Sequence, residues 1–141
     1  MIDWCKGQKR GIRRIDPNPL MSEDYLNKAD SALKMSHTVD DGEWTLIGEY
    51  YACYNALYSL LLKAGIKSEI HDCTIALMEY FKFSKEEIEF LRRLKKARID
   101  AQYYVERKAQ PVSFETVRGF VMTCKEKHET LNFREIQDIL W

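Results

Sequence analysis

Apolar residues return every three or four positions along most of this chain, and no run alternates convincingly as a half-buried strand would. The expected fold class is therefore all-α. From Ser22 onward, Tyr25, Leu26, Ala29, Ala32 and Leu33 share one helical face. Ser22 is placed to cap that helix, with Glu23 and Asp24 in the first turn. "VDDGE" at 39–43 breaks the pattern. A second helix is expected over 43–64, closed by Gly65, and a third over 68–80. Ser84 caps a fourth, with Glu86 and Glu87 complementing its dipole. Pro111 interrupts, Ser113 and Glu115 open a fifth, and "FREIQDILW" forms a short last segment.

Two of these helices carry most of the information. In the second, Trp44, Ile47, Tyr51, Tyr54, Tyr58, Leu61 and Leu62 share a broad face at about 100° per residue. Gly48, Ala52, Asn55 and Ser59 share another, and small residues at that spacing let a neighbouring helix come close. This helix is expected to be central, with Tyr51, Tyr54, Tyr58 and Leu61 inaccessible. The tyrosines could stack on bases, but core packing with a bonded hydroxyl is the plainer role. In the fourth, Leu91, Leu94, Ala101, Tyr104 and Val105 form the inward arc, and Arg98 falls inside it. Arg92, Lys96, Asp100 and Arg107 lie opposite, with Ile99 and Tyr103 among them. An isolated buried charge is costly. Arg98 must therefore snorkel, pair with a carboxylate such as Glu49, or open to a cleft.

Composition narrows the partners. The 141 residues carry 22 basic and 22 acidic side chains. Zero net charge argues against indiscriminate polyanion binding and leaves room for local patches. One is 92–98, with five basic and no acidic residues. Another is the arm 1–20, where Lys6, Lys9, Arg10, Arg13 and Arg14 face only Asp3 and Asp16 before Pro17 and Pro19, which disfavour helix. That arm is read apart from the domain 21–141. It is either a solvated tail or a segment that touches phosphates or docks through Trp4. No apolar run reaches membrane-spanning length, and the first residues lack a signal-peptide core, so a cytoplasmic protein is expected. Cys5, Cys53, Cys73 and Cys124 are scattered without a C-x-x-C pair. Reduced, buried roles are expected for most of them, rather than a disulfide frame or a zinc site.

Much familiar chemistry is missing. "GQKRG" lacks the spacing of a P-loop, no dinucleotide fingerprint occurs, and no His/Cys cluster has metal-ligand spacing. Neither a metal nor a cofactor is called for. Of the isolated His37, His71 and His128, His71 is the best placed, because "EIHDC" opens a helix just after the central one and could face the same cleft as Arg98.

"YYACYNALYSLLLKAGI", "IHDCTIAL" and "RLKKARIDAQYYV", in that order, resemble the HEPN (higher eukaryotes and prokaryotes nucleotide-binding) domain family. The likeness is strongest to its small stand-alone archaeal and bacterial members. Those have a tyrosine- and alanine-rich second helix, a Gly-ended turn, a His opening the next helix and an R-x-x-A-[DQ]-Y signature, here Arg98, Ala101, Gln102 and Tyr103. The resemblance spans roughly residues 4 to 130. It implies an up-and-down bundle of about five helices that pairs into a homodimer. It also implies RNA or nucleotide binding, and often a toxin–antitoxin-like pair with a separate nucleotidyltransferase.

Many members are metal-independent ribonucleases with Arg, four to six residues, then His. There His moves a proton from the 2′-hydroxyl and Arg stabilises charge on phosphate. Here Tyr103, Tyr104 and Val105 stand where that His belongs, and no His follows Arg92 or Arg93 at that spacing. Tyrosine is a poor base at neutral pH. The resulting expectation is a dimeric binding module using Arg98, Tyr103, Arg92, Lys95 and Lys96. The alternatives are a divergent ribonuclease drawing on Arg98, Tyr103 or His71, and a dimeric scaffold without a ligand.

Overall fold

The computed structural model describes residues 1–104 and 110–141. Val105 and Arg107, assigned above to faces of the fourth helix, lie outside the described residues. The described residues form seven α-helices, one 3-10 turn and one two-stranded ladder: α1 (Ile2–Gly7), β1 (Arg13–Arg14), α2 (Pro19–Thr38), α3 (Gly42–Lys63), β2 (Ile66–Lys67), α4 (His71–Ala76), the turn Leu77–Phe81, α5 (Lys85–Tyr103), α6 (Phe114–Thr130) and α7 (Phe133–Leu140). The all-α expectation holds. The count exceeds five because the arm has its own helix, α1, and the last segment is α7.

Helix ends follow local chemistry. Ser84 accepts from the Glu87 backbone while the Glu87 side chain accepts from the Ser84 backbone, a reciprocal capping box. Ser113 caps α6 by accepting from Thr116 N. Gly65 turns the chain after α3 at φ +75°. A Cβ there would meet Gln137 Nε2 at 2.4 Å and Ile15 O at 2.5 Å, so Gly65 supplies both the left-handed turn and the close approach. The expected start of α2 is corrected. Asn18 is its cap and accepts from Met21 N, with Pro19 in the first turn. Proline is welcome there because that N–H would have no helical partner anyway. Ser22 is instead fully buried within the helix.

Helix α3 is the centre of the core, packed by α2, α5 and α6. Leu46, Tyr50, Leu57, Leu60 and Leu61 are at most 1% exposed. The small-residue face works as read: a Cβ on Gly48 would sit 2.9 Å from both Met35 Cε and Ser36 Cβ of α2. Tyr54 and Tyr58 are buried, but Tyr51 is only half-buried. Trp44 is 55% exposed, because it stands in the first turn of α3, short of its neighbours.

The arm is tied down at several points. β1 pairs antiparallel with β2, Arg13 opposite Lys67 and Arg14 opposite Ile66. Ile15 N donates to Gly65 O and Glu69 N to Arg10 O, at 2.9 and 3.0 Å. Gln137 of α7 donates to Ala64 O at 2.9 Å and accepts from Arg14 Nε at 3.1 Å, locking arm, α3 terminus and α7 together. Trp4, the anticipated anchor, is 54% exposed, whereas Cys5 and Ile12 are buried.

The cysteine expectation is corrected for half of the set. Cys5 and Cys73 form a disulfide, with Cα atoms 5.8 Å apart, while Cys53 and Cys124 are free and buried. The two bridged residues lie 68 positions apart, and only the folded arm brings them within bonding range. No helix among the described residues is long and apolar enough to cross a membrane.

Candidate functional site

Arg98 is carried on the inner face of α5, between Leu94 and Ala101, and is 8% exposed. Among the described residues, no carboxylate pairs with it. Its guanidinium carbon lies 4.7 Å from the centroid of Tyr50 and 5.6 Å from that of Tyr51, both on α3. Nη1 donates to Gln102 Oε1 at 3.2 Å. Nε is buried, and no described residue hydrogen-bonds to it. A buried donor left unpaired costs roughly 1–3 kcal/mol. The two phenol faces recover part of that through cation–π attraction. Glu49, the carboxylate considered for pairing, instead accepts from Val112 N at 3.1 Å. It is 2% exposed, and burial raises its pKa from 4.5 to about 7.

His71 meets the same tyrosines from α4. Its ring stacks on Tyr54 at 4.0 Å and 14°, and its Nδ1 lies 2.7 Å from Tyr50 Oη. Burial first, then the positive charges of Arg98 and Lys95, lower its pKa to about 4, so it is neutral at pH 7. Burial drives the Tyr50 phenol far above its ordinary range. The phenol therefore keeps its proton and donates to Nδ1, which leaves the imidazole proton on Nε2. No group among the described residues bonds Nε2. Arg98 and His71 thus both present N–H donors around Tyr50, with the imidazole lone pair already engaged. That arrangement suits holding an anion better than abstracting a proton.

The remaining basic candidates flank this cluster. Lys95 pairs with Asp72 at 2.7 Å, beside His71 in sequence. Arg92 pairs with Glu89 at 3.2 Å and Lys96 with Asp100 at 2.7 Å. Arg92, Lys95 and Lys96 share a groove with Met1, Asp72 and Ile99. Tyr103 lies 66% exposed near the end of α5, and neither a hydrogen bond nor a ring contact joins it to Arg98. Among the described residues, no three His, Cys, Asp or Glu side chains gather as a metal set.

Sequence reasoning missed Tyr50 and Gln102 as partners of Arg98. Tyr50 falls outside the face that the helical wheel assigned, although its place beside Tyr51 on a helix packed from several sides was a usable signal. It also missed a buried pair far from this site. Ser22 Oγ lies 2.7 Å from His128 Nε2 and donates to Ser59 O at 2.7 Å. With its proton committed to that carbonyl, Ser22 accepts from His128, so the pair is a structural tie and not an activated nucleophile.

No protein-family model matches this chain, and no curated protein matches it.

Proposed function

We propose that this chain is a HEPN-like module that binds RNA or a nucleotide as a homodimer without cutting it, beside a separate nucleotidyltransferase in a toxin–antitoxin-like pair. The observation that carries the reading is the buried Arg98 guanidinium, held on Tyr50 and Tyr51 with, among the described residues, no carboxylate and no partner for Nε. A guanidinium presents a fork of donors that matches phosphate oxygens. His71 Nε2–H adds a second donor, and Lys95 adds positive potential. The half-buried Ile99 and the exposed Tyr103 give α5 an apolar-bearing outer side for pairing, while Tyr104, expected on the inward arc, is exposed just past the end of the helix.

One observation favours a second reading, a divergent metal-independent ribonuclease. His71 is neutral at pH 7 and lies close enough to Arg98 to feel its charge. Its Nδ1 is engaged by Tyr50, so the base would have to exchange that bond for a 2′-hydroxyl.

Arg98→Ala tests the reading, scored by equilibrium binding of single-stranded RNA and of mononucleotides. Binding should be lost and should weaken with salt in the parent. Equal binding by variant and parent removes Arg98 from the site. Metal-independent cleavage by pure parent protein that vanishes in His71→Ala selects the ribonuclease. Light scattering should give a dimer that Ile99→Asp weakens, and a monomeric parent at micromolar concentration removes the dimer.

A further inference from the structure

The arm places cations against one another. Arg13 and Lys67 are directly opposite in the β1–β2 ladder, and both are exposed. Like charges at opposed positions destabilise a strand pair. Arg10 joins them: Glu69 alone receives Arg10 Nη2 at 3.5 Å and Arg13 Nη2 at 3.0 Å. The side chains of Arg10 and Arg13 are 74% and 46% exposed, so both pairs are screened by water and weak. Two of these cations thus share one carboxylate, and the third, Lys67, stands opposite Arg13 on the rim of a two-residue ladder.

This cluster is fixed beside the candidate site. Glu69 is separated from His71 by only Ile70, so the chain spans at most about 7 Å between them. Asp72, the next residue after His71, holds Lys95. Cys73 in the same helix is bonded to Cys5 of the arm. The ladder, the Glu69 N to Arg10 O bond and the disulfide set the position of the basic cluster before any ligand arrives. A preset surface costs less ordering on binding than a solvated tail would.

We infer that Arg10, Arg13 and Lys67 form a second phosphate-contacting surface, over which a single-stranded RNA backbone runs into the Arg98–His71 site. The inference rests on the RNA-binding reading above. The phosphates would take the place of the weak Glu69 pairs, and their negative charge would relieve the repulsion between Arg13 and Lys67. Arginine favours this use because its planar donors engage phosphate in pairs.

The test uses a short oligouridine RNA, vesicles containing an anionic phospholipid, and three proteins: the parent, an Arg10→Gln/Arg13→Gln double variant, and Arg98→Ala. Neither arm residue touches Tyr50, His71 or Arg98, and an unchanged melting temperature with the disulfide intact confirms a folded variant. The double variant should bind RNA more weakly, and the slope of log affinity against log salt should shrink by about 1.4, about 0.7 for each of two lost phosphate contacts. Lys67→Gln should shrink it by about half as much. Loss in Arg98→Ala with unchanged affinity and slope in the double variant overturns the inference and leaves the Arg98 site standing. Loss in the double variant alone removes Arg98 from the RNA site, and the shared path with it. Vesicle binding that the double variant loses while its RNA binding is unchanged assigns the arm to a membrane surface and overturns the inference. A parent that binds no RNA overturns the inference, and leaves of the reading above only the binding of a nucleotide.

Discussion

At Arg98 two phenol rings do what a carboxylate usually does. Cation–π contacts are worth about 0.5–2 kcal/mol each, yet Nε has no partner among the described residues. Replacing a buried charge by an apolar side chain of similar volume is often neutral or stabilising. Arg98→Met should therefore keep or raise the urea midpoint while removing phosphate binding, and a loss above about 2 kcal/mol would mean that the guanidinium holds the fold together. Glu49 and His71 titrate in opposite senses. His71 has a folded pKa of about 4 against an ordinary 6.5, so its contribution is full above pH 6.5 and is lost as pH falls toward 4. Glu49 is raised from 4.5 to about 7, so its contribution is full below pH 4.5 and is lost as pH rises through 7. The two slopes oppose each other between pH 4.5 and 6.5. Glu49→Gln removes one of them. Relative to the parent, that variant should gain stability from pH 4.5 to 7, by at most about 1.4 kcal/mol per pH unit. Urea titrations at the two ends would measure this, and a constant difference would show that the buried carboxyl is not held protonated.

Among the helices, α2 and α3 approach closely at Gly48. A methyl group there would press on Met35 and Ser36, so Gly48→Ala should cost about 1–3 kcal/mol, despite alanine's higher helix propensity, and calorimetry would show a lower melting temperature. A gain would mean that α2 shifts without loss. This contact was legible in the sequence because small residues recur at helical spacing. So were the caps at Ser84 and Ser113 and the turn at Gly65, since each depends on residues within a few positions. The start of α2 was misplaced because Pro19 was read as a helix breaker, whereas in the first turn it is a helix starter. Arg98 could be placed on the inner face from periodicity alone. Its actual partners, Tyr50 and Gln102, depend on rotamers and on the angle between α3 and α5, which no local pattern encodes. Ser22 with His128 escaped for the same reason: 106 residues separate them in sequence.

For the molecule as a whole, the disulfide closes a loop of 68 residues that contains α2 and α3. On the chain-entropy estimate a loop of that length is worth about 4 kcal/mol. Cys5→Ser/Cys73→Ser should lower stability by up to that amount, and the reduced parent should match the double variant in urea. A difference below about 1 kcal/mol would mean that the ladder, Ile12 and Gln137 already hold the arm. The bridge also withdraws the cysteine argument for a reducing compartment, which rested on spacing alone. It has a mechanical consequence as well. Once tension on the two ends has broken the non-covalent contacts, force passes from Cys5 straight to Cys73, and the segment of the central helix pair carries none of it. Fully stretched, the oxidised chain should be shorter than the reduced one by about 240 Å, at about 3.6 Å for each of the 68 shunted steps. The most buried helix of the protein would thus remain slack in a chain otherwise drawn straight.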